Sequence, residues 1–289
     1  DLHCINDARK RSFDVLLHLG YTSDAVWYRR WPKPTVNMVN MDGLEWKRAK
    51  YNRLTKLYLK YAEKKAAMHA DILVADSLAI REYLKTTYGV EAVFIPYAAT
   101  VFQNPDEKKV KAFGLEPHAY FLLIARFVPE NNLEMVIQGY LQSAQDLPLL
   151  IIGDYGNKLG QWLKKKYNHP GILFNGALYD MELLDQLRYF SRVYFHGHSV
   201  GGTNPSLLEA MACGSLIAAH DNDFNRAVLE SDACYFSDAA SVAVILDAEQ
   251  DPAMVQKWKE ANLEKIRTRY HPDQIIDAYE KLILTACGQ

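Results

Sequence analysis

Short runs of nearly continuous apolar residues alternate with longer stretches of helical periodicity along most of this 289-residue chain. The first four runs are FDVLLHLG from Phe13, PTVNMVNM from Pro34, DILVADS from Asp71 and VFIPYA from Val93. Their length and uniform apolarity predict parallel strands covered on both faces. Between them, the segment from about Arg53 to Ala70 has helical spacing, with Leu54, Leu57, Tyr58 and Tyr61 on one stripe, as on a helix that packs by that face.

Polar residues and two prolines interrupt the pattern in YAATVFQNPDEKKVKAFGLEPHA, from Tyr97 to Ala119, which reads as a linker. A second series follows: YFLLIAR, a helix near Leu133 to Gln142, LPLLIIGDYG, a helix near Leu159 to Tyr167, GILFNGAL, a helix near Asp180 to Phe190, VYFHGHS, a helix after Asn204, and SLIAAHD. Repeated strand–helix units imply parallel sheets with helices on both faces, and two series imply two doubly wound, Rossmann-like α/β domains. The expected division is 1–116, 117–270 and a final helical segment, 271–289.

Composition adds limits. Two domains are expected at this length. Hydrophobic residues make up 49% and charged residues 24%, enough core material for a globular protein. A formal net charge of -2 gives no electrostatic reason to expect nucleic acid as a partner. Cys4, Cys213, Cys234 and Cys287 lie far apart, in neither metal-ligand nor disulfide-framework spacing, which fits a reducing cytoplasm. The longest apolar runs fall far short of the roughly 20 residues that span a bilayer. With Asp1 in place of Met and no charged-then-apolar leader, the sequence reads as a trimmed or partial chain without a signal peptide.

In open parallel sheets, ligands bind beyond the carboxyl ends of the strands. Arg126, Gly153, Gly156, Gly176, Gly201 and Gly202 all follow strand runs. Within FHGHSVGGTNPSLLEAMACGS, Phe195 to Ser215, Asn204 is suited to cap a helix and Pro205 to begin it, so free N–H groups would point back into Gly201, Gly202 and Thr203. Such a tip admits a phosphate, although a plain strand-to-helix turn uses the same residues. Glu209 is a lone carboxylate among Leu207, Leu208, Ala210, Met211 and Ala212. An unpaired buried charge is costly, so it faces water or meets a polar partner. A carboxylate that accepts two hydroxyl hydrogen bonds suits a sugar diol, and a diol one turn from a phosphate describes a nucleotide.

Arg126 can pair bidentately with phosphate oxygens; its plainer role is an ion pair with Glu130 or Glu134. Asp221 and Asp223 could offer carboxylates to a hard cation, but the triplet with Asn222 also reads as a turn capping a helix at Asn225. His196 and His198 would share a strand face without the further ligands of a zinc site, and His198 is better suited to stacking or hydrogen bonding near a ligand.

Longer motifs carry a resemblance. GGTNPSLLEAMACGSLIA resembles the donor-binding motif of retaining GT-B glycosyltransferases of family four, and IARFVPENN resembles their diphosphate-binding segment. VNMDGLEWKRAKY, ADSLAIREYL and GHSVGGTNPSLLEAMA are similar, more narrowly, to bacterial rhamnosyltransferases of capsule and O-antigen polysaccharide synthesis. The resemblance spans nearly the whole chain and implies a GT-B fold with an incomplete first domain, to which the last helix crosses back. It implies a hexosyltransferase that moves a sugar, L-rhamnose from dTDP-rhamnose, onto a lipid-linked glycan with retention, without a metal or other cofactor. Such an enzyme works in the cytoplasm, peripheral to the anionic inner face of the plasma membrane.

On that resemblance, donor contacts fall on Arg126, Asn131, Gly153, Gly176, Leu178, His198, Gly201, Gly202, Thr203, Asn204 and Glu209, with Arg126 and the Gly202–Thr203 tip stabilising the leaving diphosphate. Asp42 stands where many relatives hold an active-site histidine and is the catalytic or acceptor-side candidate; the acceptor's proton goes to it or to the leaving phosphate. Two departures stand out: Gly201 replaces the first of two family glutamates, and Asn131 replaces the usual lysine. They motivate a regulatory, nucleotide-sugar-binding subunit as an alternative, and a GT-B nucleotide-sugar epimerase is a third reading. Basic and aromatic residues interleave from Leu44 to Lys65. That stretch is either a solvated helix face or the acceptor and membrane side, with Trp46 and Tyr51 at headgroup level, Glu45 in the same stretch, and Lys47, Arg48 and Lys50 on phosphates.

Overall fold

In a computed structural model that describes residues 1–288, the chain divides into two compact units. The first comprises Asp1–Tyr97, Val200–Thr203 and the chain from Pro272 onward; the second comprises Ala98–Ser199 and Asn204–His271. The segment expected to be a linker therefore belongs to the second unit from Ala98, and the boundary falls at Tyr97 rather than at 116. The cause lies in its apolar residues: helix Glu107–Ala112 buries Val110 completely, and Leu115 follows it into the core.

The first unit contains α1 (Leu2–Ala8), β1 (Val15–His18), β2 (Val36–Asn40), α2 (Arg53–His69), β3 (Ile72–Ala75), α3 (Leu78–Tyr88) and β4 (Val93–Phe94). Its four strands form one parallel sheet in the order β1-β2-β3-β4. β4 pairs over two residues only, because the run continues into Pro96, which has no N–H for a ladder. α3 is bounded as its residues dictate: the Ser77 hydroxyl accepts from the Ala79 N–H, and Gly89 ends the helix at φ +68°, a conformation costly for other residues.

α2 forms where its periodicity predicts but packs by a different face. Leu59, Ala62, Glu63, Ala66 and Ala67 are buried, whereas Leu54, Leu57, Tyr58 and Tyr61 are exposed, Leu54 by 78%. Both stripes have helical spacing; the small side chains of Ala62, Ala66 and Ala67 let the helix approach closely, which the large ones would prevent.

The second unit runs α4 (Glu107–Ala112), β5 (Phe121–Ile124), α5 (Leu133–Gln142), β6 (Leu149–Ile152), α6 (Lys158–Lys166), β7 (Ile172–Asn175), α7 (Met181–Tyr189), β8 (Val193–His196), α8 (Pro205–Ala212), β9 (Ile217–His220), α9 (Asp223–Leu229), β10 (Cys234–Phe236), α10 (Ala239–Asp247) and α11 (Pro252–Thr268). Its parallel sheet has the order β10-β9-β8-β5-β6-β7. β10, α10 and α11 lie beyond the last run read from the sequence. Alternate residues enter opposite cores: Leu122, Leu150, Tyr194 and Ile217 pack with α7, α8 and α9 on one face, and Phe121, Ile151, Phe195 and Ala218 pack with α5, α6 and α10 on the other. Each fully buried aliphatic or aromatic side chain contributes about 1.5–3 kcal/mol, so both faces need cover.

α12 (Pro272–Ala286) belongs to the first unit, where Ile275, Tyr279, Leu282 and Ile283 pack against Met38, Val74 and Ile95. The four cysteines are unpaired. Among the described residues, no helix is long and apolar enough to cross a membrane.

Candidate functional site

In the second unit the chain moves outward from β5 through β6 to β7, then returns to pair β8 on the other side of β5. Strand order reverses at that point, and the loops leaving the carboxyl ends of β5 and β8 diverge there, the place where doubly wound sheets hold ligands. Hydrogen bonds stitch the two loops. The Ser199 N–H and hydroxyl each donate to the Glu130 carbonyl at 2.9 Å, and the Asn132 amide donates to the Gly197 carbonyl at 2.8 Å.

Arg126 stands in the β5 loop with an exposed side chain, and its guanidinium has no ion pair among the described residues. The expected alternatives are taken up elsewhere: Glu134 pairs with Lys166 at 2.8 Å, and Glu130 is buried. Asn131 does not offer its side chain outward. It is 2% exposed and its amide donates to the Arg126 carbonyl at 2.9 Å, so it shapes the loop that carries Arg126.

The Gly153 N–H donates to the Gly176 carbonyl at 3.0 Å, joining the loops after β6 and β7, and a Cβ at Gly153 would collide with the Ala125 carbonyl. Leu178 is turned into the core with α7. His198 stacks on His196 with ring centroids 4.3 Å apart, and its carbonyl accepts from Asn222 and Asn225. His196 is wholly buried, and burial holds its imidazole well below the usual pKa, hence neutral.

α8 starts as its residues predict. Asn204 caps it by accepting from the Ser206 N–H at 3.0 Å, and Pro205 occupies the first turn. Glu209 meets a polar partner that sequence reasoning missed: Arg188 of α7, 2% exposed, donates to Glu209 and, at 2.7 Å, to Asp185. The Glu209 side chain remains 31% exposed, so the pairing orients a carboxylate that still reaches solvent. Burial pushes its pKa up and Arg188 opposes that shift. Only the i, i+3 spacing of Asp185 and Arg188 hinted at an ion-pair helix; nothing in the sequence linked it to Glu209.

The Asp221 carboxylate is bound bidentately by Arg226, at 2.5 and 2.8 Å, which opposes its use as a metal ligand. Asn222, not Asn225, caps α9.

In the first unit Asp42 lies two residues past β2 and Asp76 one residue past β3, its neighbour in the sheet. Gly201, Gly202 and Thr203 belong to this unit too. The Thr203 hydroxyl donates to the Asp76 carbonyl, and the Asp76 carboxyl occupies the space that a Cβ on Gly202 would need. Gly43, at φ +80°, lies beside the same turn at ordinary contact distance, since a Cβ there would lie 3.6 Å from the Gly201 Cα. Asp76 was absent from the sequence-derived site. Burial, then the charge of Asp42, raises its pKa to about 7; burial, then Glu45, raises Asp42 to about 6, opposed by Arg48.

The basic stretch after Asp42 is partly turned inward. Trp46 donates its indole N–H to buried Glu63 at 2.9 Å, and Arg48 pairs with Glu45 at 2.5 Å, so neither is free for headgroups as the sequence suggested. Glu63 also accepts from the hydroxyls of Tyr83 at 2.6 Å and Tyr88 at 2.7 Å. Lys47 and Lys50 are exposed; Lys50 lies over the Tyr51 ring, 4.7 Å from its centroid.

Comparison with known proteins places this geometry in context. Residues 34–100 match a domain of unknown function, DUF1972, and residues 105–265 match the family described as glycosyl transferases group 1. An uncharacterized glycosyltransferase of Methanocaldococcus jannaschii is 28% identical over 183 residues, 58% of this chain and 45% of that protein. The match thus spans about half the length of that relative. Among solved structures, sucrose-phosphate synthase from Thermosynechococcus elongatus superposes with a TM-score of 0.81 at 17% identity, covering 98% of this chain and 76% of that one. Anabaena HepE in complex with UDP-glucose gives 0.79 at 14% identity, covering 97% and 81%. These likenesses establish an α/β fold with two parallel sheets, as in GT-B glycosyltransferases. The family match covers more than half of the chain and takes in Arg126, α8 and Glu209: the protein belongs to the glycosyl transferases group 1 family.

Proposed function

We propose that this chain transfers a sugar from a nucleotide-diphosphate donor to an acceptor hydroxyl with retention at the anomeric carbon. The observation that carries the reading is the Asn204-capped tip of α8, preceded by Gly202 and Thr203 and followed one turn later by a Glu209 that Arg188 holds in place. Neither the Gly202 nor the Thr203 N–H has a protein acceptor among the described residues, as a phosphate site requires. The donor diphosphate lies at that tip and on the unpaired Arg126 guanidinium, and Glu209 accepts from the nucleoside sugar's hydroxyls. As the anomeric C–O bond breaks, negative charge grows on the leaving diphosphate; preorganised N–H dipoles and Arg126 stabilise it, without a covalent intermediate. No metal is needed for that charge, and the commitment of Asp221 to Arg226 agrees with this.

The donor we favour is dTDP-rhamnose and the acceptor a lipid-linked glycan. Support comes from the rhamnosyltransferase-like motifs and from the loss of an acid at Gly201, which departs from the commoner donor pattern. UDP-glucose is the rival donor, since a similar fold binds it in HepE. The test is incubation of the protein with sugar-labelled dTDP-rhamnose or UDP-glucose and a panel of lipid-linked acceptors. Labelled glycan with dTDP-rhamnose supports the reading. Binding without product identifies a regulatory subunit, a changed sugar without acceptor identifies an epimerase, and product with UDP-glucose alone reassigns the donor.

A further inference from the structure

Two carboxyls stand at the carboxyl ends of neighbouring parallel strands, and only Asp42 was legible as a functional residue. Asp76 is 4% exposed, and its Oδ1 is buried without a hydrogen-bond partner among the described residues. An isolated carboxylate in such a place is expensive, and a purely structural position would favour a neutral residue. The fold instead makes room for it. Gly202 gives up its Cβ volume to the carboxyl, and the Thr203 hydroxyl ties the Asp76 carbonyl to the same turn. Resting on the transferase reading above, we propose that Asp42 and Asp76, at matching positions past neighbouring strands, act as a pair, Asp42 receiving the proton of the acceptor hydroxyl and Asp76 holding a resident proton beside it.

The division of labour follows from exposure. Asp42 is half-buried and can touch a substrate hydroxyl, so it is the catalytic residue; Asp76 lies deeper and acts through it as a positioning residue. The titratable and charged groups facing the pair among the described residues are Glu45 and Arg48 in the segment after β2, Tyr21 after β1, Tyr97 after β4 and Tyr279 of α12. Arg48 is paired with Glu45 and offsets only part of the rise that burial and Glu45 impose on Asp42. A pair of this kind retains a proton on one member near neutrality while the other is ionised and basic enough to accept one. In the step, the acceptor O–H breaks and its proton passes to Asp42. The acceptor oxygen bonds to the anomeric carbon, and the anomeric C–O bond to the diphosphate breaks with its electron pair leaving on phosphate.

The experiment follows release of nucleoside diphosphate from dTDP-rhamnose and UDP-glucose, with water or a lipid-linked glycan as acceptor, for wild type, Asp76→Asn and Asp42→Asn. Calorimetric titration with dTDP and UDP runs in parallel. We expect wild-type kcat to rise with pH through a midpoint between about 6 and 7. Asp42→Asn should lose about 100-fold in kcat. Asp76→Asn should lose about tenfold in kcat and keep the Asp42 midpoint near 6, because Asp76 is still protonated and uncharged while Asp42 ionises. Nucleotide affinity should change less than twofold in both. Because Asn keeps the shape and the Thr203 hydrogen bond, folding is retained; infrared spectra then serve as a substrate-free readout. A carboxylic C=O band that disappears near pH 7 in wild type, disappears at lower pH in Asp42→Asn because the like charge is gone, and is missing at that pH in Asp76→Asn is expected. Turnover by Asp76→Asn at the wild-type rate, a band in Asp42→Asn that disappears at the wild-type pH, or the absence of that band overturns the pairing while leaving the transferase reading intact. Failure of wild type to bind dTDP or UDP, or to turn over either donor, overturns the reading itself and the pairing with it.

Discussion

Glu209 sits in an apolar helix because Arg188 meets it from α7, and the same guanidinium also serves Asp185. Removing one partner of a buried pair leaves charge uncompensated. Arg188→Met is therefore expected to destabilise the fold by about 3 kcal/mol in denaturant titration, and to weaken nucleotide binding because Glu209 loses its orientation. Glu209→Ala should weaken dTDP binding by about 1.5–3 kcal/mol by calorimetry, with Glu209→Gln losing less. An unchanged affinity in folded Glu209→Ala protein would contradict the assignment. At Arg126, lysine supplies a point charge rather than a fork, so Arg126→Lys should cost more affinity for dTDP than for thymidine. Equal losses would argue against a phosphate contact. Asp76 yields a stability prediction as well. Its folded pKa is raised from 3.8 to about 7, so the native state holds its proton more tightly than the unfolded chain. Stability drawn from that proton is fully present below about pH 4 and is lost as pH rises through 7, by up to about 4 kcal/mol. Asp76→Asn should therefore gain melting temperature over wild type at pH 8 and none at pH 4.

Among the elements, the buried parallel strands were legible because their apolar runs are short and uninterrupted, and α8 was legible because Asn204 and Pro205 mark its start. α2 was legible as a helix but not in orientation. Burial there was decided by the small residues Ala62, Ala66 and Ala67 and by Glu63, whose charge the Tyr83, Tyr88 and Trp46 donors satisfy, and none of those long-range partners has a sequence signature. The exposed face that results carries Leu54, Leu57, Tyr58 and Tyr61 beside Lys60 and Lys64. Such a combination suits an anionic lipid surface, where each basic side chain adds about 1 kcal/mol and apolar side chains enter the interface. Salt-sensitive flotation with anionic vesicles is expected. It should be lost when Leu57, Tyr58 and Tyr61 become Ser together or Lys50, Lys60 and Lys64 become Gln together, whereas Arg48→Gln should act weakly because Arg48 is already paired with Glu45. Binding that survives both triple changes would leave this face merely solvated.

At the scale of the whole molecule, the sequence marked two doubly wound regions and a last helix that returns to the first, yet chain order misled in two places. The stretch from Ala98 belongs with the second sheet and Val200–Thr203 with the first unit, whereas α12 returns to the first sheet as the resemblance implied, packing Ile275, Leu282 and Ile283 on its strands. Each depends on contacts between residues far apart in the chain, which periodicity does not record. The candidate site divides in the same way: Arg126, the α8 tip and Glu209 were readable from local motifs, while Arg188 and Asp76 became visible only once neighbouring strands and helices set them against Glu209 and Asp42. We propose that this arrangement transfers sugar from a nucleotide-diphosphate donor with the charge handled by protein groups alone. The most direct measurement is transfer of labelled sugar from dTDP-rhamnose to a lipid-linked glycan in the presence of EDTA, compared between wild type and Glu209→Ala. Labelled glycan is expected from wild type at a rate indifferent to chelator, with at least a tenfold loss in Glu209→Ala at subsaturating donor. Abolition by EDTA with recovery on Mn²⁺, or equal rates from the two proteins, would contradict it.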